Sequence, residues 1–170
     1  SELDEGTKLA IAYAVSSIVL VTLTFHARRD APRMRLWPEQ KPWLLAGAIT
    51  GLTSGVLALG YLVLIKKLGV ELPETPSTNV SRVAVALTAI GLAPVAEEIF
   101  FRGWLLSCID DSVADSRHPQ WRGWLTPLAS AFAFAAVHPA ISFVPVFVLG
   151  LIASLLFRRT HALGPSILAH

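Results

Sequence analysis

Charged residues are scarce in this sequence. Only 15% of its 170 residues are Asp, Glu, Lys or Arg, whereas a soluble domain contains about 25%, and 54% are hydrophobic. This composition excludes an ordinary soluble domain and indicates a polytopic membrane protein in contact with membrane lipids. The net charge of +2 comes from Lys and Arg residues that lie between apolar runs, so we expect no nucleic-acid partner.

The sequence has only one cysteine and shows no secretory signal pattern. The single cysteine, Cys108, excludes an internal disulfide and cannot alone form a thiolate metal site. Its apolar neighbours Leu106 and Ile109 favour an inert, buried thiol. No cleavable signal pattern precedes the first apolar run and the first residue is Ser1, so we expect a processed chain or a trimmed fragment.

Long apolar runs, by contrast, make up most of the chain. A helix needs about 20 predominantly apolar residues to cross a bilayer. The candidate spans are residues 9–25, 43–65, 83–109, the shorter 125–137, 141–157, and the beginning of another helix at 163–170. We therefore predict an all-α transmembrane helix bundle with about five full spans plus the start of a sixth. The expected location is a bacterial plasma membrane or an organellar membrane, either endoplasmic reticulum or plastid.

The chain divides into two regions near residue 82. Residues 1–82 form an N-terminal two-span region, and residues 83–170 form a core that contains the candidate functional residues. The loop between the first two spans is basic and is interrupted by prolines. Its cations are Arg28, Arg29, Arg33, Arg35 and Lys41.

The second span repeats small residues on one face. Gly47, Gly51 and Gly55 are spaced four residues apart, a pattern that lets another helix approach closely. We expect this face to pack against a helix. It is also the candidate surface for contacts with other membrane subunits.

The third run carries three charges in an apolar context. Glu97, Glu98 and Arg102 lie within the segment L-A-P-V-A-E-E-I-F-F-R-G-W-L-L-S-C. One ionisable side chain at the bilayer centre costs roughly 2.5–3.5 kcal/mol on insertion scales, so we expect all three to face a protein interior or a wet cavity. Glu98 and Arg102 are four residues apart and can pair, which leaves Glu97 without a local partner. Pro94 should kink the helix near these charges.

Two interpretations of the charged pair stay open at this point. Glu98 and Arg102 are either part of a functional site or a buried ion pair that only sets the register of the helix. Two histidines on later helices, His138 and His170, can meet Glu97 in one cavity if the helices form a bundle. We interpret His26, His118 and His161 as packing residues.

Three motifs in this order resemble those of a known family. E-E-I-F-F-R at 97–102 resembles the EExxxR motif of the CPBP intramembrane proteases, which include CAAX proteases and bacteriocin-processing, Abi-type enzymes. F-A-A-V-H at 134–138 resembles their FxxxH motif, and G-P-S-I-L-A-H resembles the start of their HxxxN motif at His170. The asparagine expected four residues after His170 falls beyond the printed sequence, so the core is expected to be truncated at its C-terminal end.

The resemblance implies a reaction and a set of roles. It implies an intramembrane endopeptidase that hydrolyses a peptide bond of a membrane-associated protein or peptide, such as a prenylated CAAX-type substrate, with a glutamate-activated water. Glu97 would be the general base, and His138 and His170 would position water or stabilise the oxyanion. Glu98, Arg102 and Phe134 would support them. A rival is a zinc site, with Zn²⁺ bound by Glu97, His138 and His170 and water at its open position.

Two functions of other classes remain as alternatives. A catalytically silent structural or assembly subunit is motivated by the incomplete third motif and by the glycine-lined second span. A proton or ion path through Glu97, Glu98 and Arg102 is weaker, because only one span carries intramembrane acids and no inverted repeat is evident.

Overall fold

A computed structural model describes residues 4–27, 35–72 and 79–170, and these residues fold almost entirely into helices. No β-strand occurs within those ranges, and an isolated β-bridge joins Arg35 to Ala162. The α-helices are α1 Glu5–Ala27, α2 Pro42–Lys67, α3 Asn79–Ala86, α4 Ala93–Glu98, α5 Leu106–Ala114, α6 Arg122–Ala136, α7 Phe143–Thr160 and α8 Leu163–Ala169. The predicted all-α class is confirmed.

Among the described residues, four helical stretches are long and apolar enough to cross a membrane: Glu5–Ala27, Pro42–Lys67, Arg82–Ala114 and Ala140–Thr160. The predicted count of five full spans and a sixth is not confirmed. The run at 125–137 lies in α6, whose 15 residues extend for only about 22 Å, and a bilayer core is about 30 Å thick. The last helix, α8, has 7 residues.

The third span is one continuous helix of mixed type, which we call the central helix (residues 79–114). Two π-helical segments, π1 Leu87–Leu92 and π2 Ile99–Leu105, flank α4, which ends at Glu98. Pro94 lies in the first turn of α4, immediately after π1, where the Ala93 N–H donates to the Thr88 carbonyl five residues earlier. The predicted distortion near Pro94 therefore takes the form of a π-helical segment, which often occurs at functional sites.

Small residues dock α1 along the central helix. The buried residues of α1 are Gly6, Ala10, Ser17 and Thr24, and α1 packs against α3, π1, α4 and π2. The Ser17 and Thr24 hydroxyls donate to carbonyls of their own helix, those of Tyr13 at 2.7 Å and Leu20 at 2.9 Å. We call Ala10, Ser17 and Thr24 the α1 seam. Because these side chains are small and satisfied locally, the two helices can lie close together.

The glycine face of α2 packs against α8 of the same chain. Gly47 lies against the Pro165 backbone, and a Cβ on Gly51 would lie 2.6 Å from the Leu168 carbonyl oxygen. A Cβ on Gly55 would meet nothing within 4 Å among the described residues. The expected packing role is therefore filled within the chain, and contact with another subunit stays a prediction that rests on the Gly55 end of this face.

The end of the central helix is tied to α6 and α7 through Asp110. Asp110 forms an ion pair with Arg122 and lies 3.6 Å from Arg158, whose guanidinium also donates to the Arg122 and Gly123 carbonyls at 2.6 and 3.0 Å. The hydrogen bond to Asp110 raises the pKa of Arg122. These contacts hold together the three helices at this end of the bundle.

The expectation of a buried thiol at Cys108 is wrong, because this side chain is exposed. Successive residues of a helix are turned by about 100°, so Cys108 lies on nearly the opposite face from Leu106, which is 2% exposed. The predicted basic loop lies partly outside the described residues, which do not include Arg28, Arg29 and Arg33.

The Gly51 contact predicts a sharp difference between two glycines of α2. Gly51→Ala should destabilise the protein by about 1–3 kcal/mol, because the new methyl group must displace the α8 backbone. The matched control, Gly55→Ala, adds the same methyl group in open space and should leave stability unchanged or slightly raised. Thermal unfolding in detergent measures both, and equal melting temperatures would contradict the tight contact between α2 and α8.

Candidate active site

A buried ion pair joins α4 to π2. The Arg102 Nη1 lies 2.8 Å from Glu98 Oε1, and both side chains are 0% exposed. The pairing expected from their spacing is present. Arg102 Nη2 also donates to the Gly150 carbonyl of α7 at 3.0 Å, and the guanidinium carbon lies 4.5 Å from the centre of the Phe134 ring. The pair therefore connects the central helix to both α6 and α7.

Glu97 lies beside the pair and faces two histidines. Its Oε2 is 3.8 Å from His138 Nε2 and 3.6 Å from His170 Nε2, and its side chain is 16% exposed. His138 follows the end of α6 and His170 follows α8. The three polar residues, which are far apart in the chain, thus converge on one point in the bundle.

The backbone determines the orientation of the His138 ring. His138 Nδ1 lies 2.8 Å from the Phe134 carbonyl oxygen, which can only accept a hydrogen bond. We therefore assign the ring hydrogen to Nδ1. In the neutral ring Nε2 then carries a lone pair, and this is the atom that faces Glu97.

Glu98 orients the second histidine, a contact that the sequence analysis missed. His170 Nδ1 lies 3.3 Å from Glu98 Oε1, and this same oxygen lies 2.8 Å from Arg102 Nη1 in the ion pair. An ionised carboxylate only accepts, so Nδ1 is again the donor and Nε2 again faces Glu97. No spacing rule connects residues 98 and 170, so only the fold could reveal this contact.

Phe134 is the apolar support of the whole cluster. Its side chain is 0% exposed, and its ring makes edge contacts with Phe101, His138 and His170 at centroid distances of 5.1, 4.7 and 5.4 Å. These contacts restrict the tilt of both imidazole rings. The arrangement agrees with the supporting place that the motif resemblance implied for Phe134.

The distances around Glu97 are too long for direct hydrogen bonds. Protein hydrogen bonds of this type measure about 2.7–3.2 Å, so at 3.6 and 3.8 Å Oε2 is not bonded directly to either ring nitrogen. Glu97 Oε2 is buried and has no hydrogen-bond partner among the described residues. Such an acceptor, facing two ring nitrogens, is suited to hold and polarise a water molecule.

An adjoining cavity of about 640 Å³ gives access to this cluster. Glu97 and His138 form part of its lining, together with Phe101 and with Tyr13 and Leu20 of α1. Its volume is within the roughly 300–1,000 Å³ that is typical of ligand sites. A substrate segment in this cavity would lie next to the Glu97 carboxylate.

The residues at the site do not form a recognisable zinc ligand set. In residues 4–27, 35–72 and 79–170, no group of three or more His, Cys, Asp or Glu side chains is arranged to hold a metal ion. A Glu97 that bound a metal would also lose its freedom to act as a base. We therefore derive no step of the reaction through zinc.

The other described histidines lie in different surroundings. His118 stacks on Trp121 at a centroid distance of 5.0 Å, and His161 ends α7 in a left-handed conformation with φ of 50°. His26 is in the last turn of α1. All three are exposed, so the packing roles expected for them stay predictions, and the cavity lining beside Glu97 includes none of them.

A comparison with protein families matches the part of the chain that holds this cluster. A family model described as type II CAAX prenyl endopeptidase, Rce1-like, matches residues 79–170. Comparisons with curated proteins and with solved structures found no significant match. The matched residues include the central helix and everything after it, so α1 and α2 lie outside the match.

The buried ion pair predicts that Arg102 matters more to folding than Glu97 does. Arg102→Ala leaves Glu98 buried without its cation, which should cost about 3–5 kcal/mol. Glu97→Gln removes a partly exposed charge and should cost much less. Folded yield and melting temperature in detergent measure the difference, and equal losses for the two variants would refute this division of roles.

Proposed function

Because the chain belongs to the Rce1-like type II CAAX prenyl endopeptidases, we propose that it hydrolyses a peptide bond of a membrane-associated protein or peptide within the membrane. Four apolar helices and the family together make it an integral membrane protein. The substrate class that the family favours is a prenylated CAAX-type chain. The observation that carries the proposal is the convergence of Glu97 Oε2 with Nε2 of His138 and His170.

Glu97 is the proposed general base. Its carboxylate takes a proton from water while the water oxygen attacks the carbonyl carbon of the scissile peptide bond. The C–N bond then breaks, and the proton moves from Glu97 to the leaving amine nitrogen. The products are a carboxylic acid and an amine, which become a carboxylate and an ammonium ion by proton transfer, so no other reactant is required.

His138 and His170 are the proposed water-positioning residues. In their neutral form, with the hydrogen on Nδ1, both rings present a lone pair at Nε2, which accepts a hydrogen bond from water. A ring nitrogen without a hydrogen cannot donate to an oxyanion. Of the two roles that the resemblance implied, these contacts therefore favour water positioning.

Glu98 and Arg102 are proposed to act through His170. Glu98 holds the Nδ1 hydrogen of His170, and Arg102 holds Glu98 as an ionised carboxylate through a 2.8 Å contact. Partners of this kind fix the tautomer of a histidine and the direction of its ring. Glu98 and Arg102 are thus positioning residues, and neither needs to touch the substrate.

The finer points of organisation are also proposals. We propose that residues 83–170 are the catalytic core and that residues 1–82 flank it, with α6 and α8 as short segments that bring His138 and His170 to the site. Short segments beside a polar site are common within membrane bundles. The proposed location remains a bacterial plasma membrane or an endoplasmic reticulum or plastid membrane.

The first functional prediction concerns Glu97. Glu97→Gln keeps the size of the side chain but removes the base, so cleavage of a farnesylated CAAX peptide should fall by about 10²–10⁴-fold. Purified full-length protein in nanodiscs is the material, and an unchanged melting temperature is the control for folding. A Glu97→Gln protein that cleaves at the unsubstituted rate would leave the silent-subunit interpretation as the better one.

Chelation is the companion control for the same reaction. If water is activated by Glu97 alone, chelators should leave the rate unchanged and the purified protein should lack stoichiometric zinc. About one zinc per chain, with reversible loss of activity on chelation, would overturn the metal-free mechanism.

The second functional prediction concerns Glu98. Glu98→Leu removes the acceptor that holds the His170 Nδ1 hydrogen, so the Nε2 tautomer should become populated and cleavage should fall by about 10–100-fold. Nitrogen-15 NMR of labelled histidine distinguishes the two tautomers directly.

The double variant Glu98→Leu with Arg102→Met controls for folding in that experiment, since it leaves no uncompensated buried charge. It should recover stability without recovering the original tautomer. An unchanged tautomer in both variants would show that Glu98 has only a structural role.

A further inference from the structure

The cavity beside Glu97 has a wall that comes from outside the family-matched region. We propose that this wall, formed by α1, determines substrate selectivity by binding an apolar segment of the substrate next to the scissile bond. The inference rests on the proposed peptidase function. The wall is defined by Tyr13, Ser16, Val19 and Leu20, all of which line the cavity.

The rest of the cavity lining is mostly apolar. It includes Phe100 and Leu105 of the central helix and Val137 at the end of α6, and Glu97 and His138 supply its reactive groups. A cavity with this lining is suited to an isoprenoid chain or a bulky aliphatic side chain, because burial of apolar area is favourable and few polar groups need partners. Substrate is the occupant we infer, since the cavity is continuous with the proposed base.

The α1 seam fixes the direction of the wall. Ser17 and Thr24 are buried against the central helix, at 2% and 0% exposure. Tyr13 and Leu20 each precede one of these seam residues by four positions and are half-buried, so they lie at the edge of the face that docks α1. Ile18, by contrast, is 64% exposed and faces away from the bundle. A melting temperature equal to that of the unsubstituted protein is therefore the control for α1 docking in each wall variant.

This arrangement separates selectivity from chemistry. The matched residues, 79–170, contain Glu97, Glu98, Arg102, His138 and His170, whereas Tyr13, Ser16, Val19 and Leu20 precede the match. Substitutions in the wall should therefore change which substrates bind, and they should leave the catalytic step nearly intact.

A binding experiment tests the wall independently of cleavage. A photoreactive benzoylphenylalanine is placed at position 20 or, as the matched control, at position 18, in full-length Glu97→Gln protein in nanodiscs. The probe is a biotinylated, farnesylated CAAX peptide. We expect cross-linking from position 20 that excess unlabelled peptide suppresses, and little from position 18. Equal labelling from positions 18 and 20 would overturn the inference. Labelling that excess unlabelled peptide does not suppress would also overturn it, because bilayer lipid would then be the occupant of the cavity.

A kinetic experiment tests selectivity with unsubstituted Glu97. Leu20→Trp narrows the cavity and should raise KM for the farnesylated peptide by about tenfold or more with little change in kcat, and it should affect a shorter geranylated peptide less. Ile18→Trp should leave both peptides unaffected. If neither substitution changes cleavage, the selectivity role of the α1 wall is refuted, and the proposed peptidase function stands. A different outcome is cross-linking from position 20 that excess peptide suppresses, together with no cleavage by the unsubstituted protein. This result would refute the proposed peptidase function, and the α1 wall would remain a peptide-binding surface.

Discussion

The buried pair of Glu98 and Arg102 is the contact on which the rest of the bundle depends. Neither charge is tolerable in a hydrocarbon interior without a partner, so both must be surrounded by protein. Arg102 meets this requirement through Glu98, the Gly150 carbonyl and the Phe134 ring. A Cβ on Gly150 would lie 2.9 Å from Phe134 and 3.4 Å from the guanidinium, so the absence of a side chain there lets α7 come close enough. The pair thereby determines how α6 and α7 pack on the central helix.

The same pair also determines the geometry around Glu97. Glu98 shares one carboxylate oxygen between Arg102 and His170, so the cation that neutralises Glu98 also keeps it available to the imidazole. Glu97 immediately precedes Glu98 in α4 and lines the cavity. The π-helical segments before and after α4 change the local twist, and the two adjacent glutamates face different partners within one short helical segment. Stability and the proposed chemistry thus depend on adjacent residues.

Part of this site could be predicted from the sequence, for identifiable reasons. Helical spacing predicted the pair of Glu98 and Arg102, because residues four apart share a face. The cost of a charge in lipid predicted that Glu97 faces the interior, and motif order indicated His138 and His170. The contact between Glu98 and His170 could not be predicted, since residues that are 72 positions apart meet only through packing. The predicted span count is not confirmed, because it treated the short apolar run at 125–137 as a full crossing, whereas α6 has only 15 residues.

The packing of α1 could not be predicted from the sequence, because its buried residues form only a weak pattern. Its seam residues, Ala10, Ser17 and Thr24, are spaced seven apart and do not form the four-residue glycine repeat that marks α2. They dock α1 because each is small and each hydroxyl is satisfied by its own helix, so nothing polar is left facing the central helix. A helix held only by such a seam is free to vary on its other faces. The face that lines the cavity can therefore change in size and polarity while the buried pair and Glu97 keep their geometry, which is the physical basis for a selectivity element separate from the catalytic core.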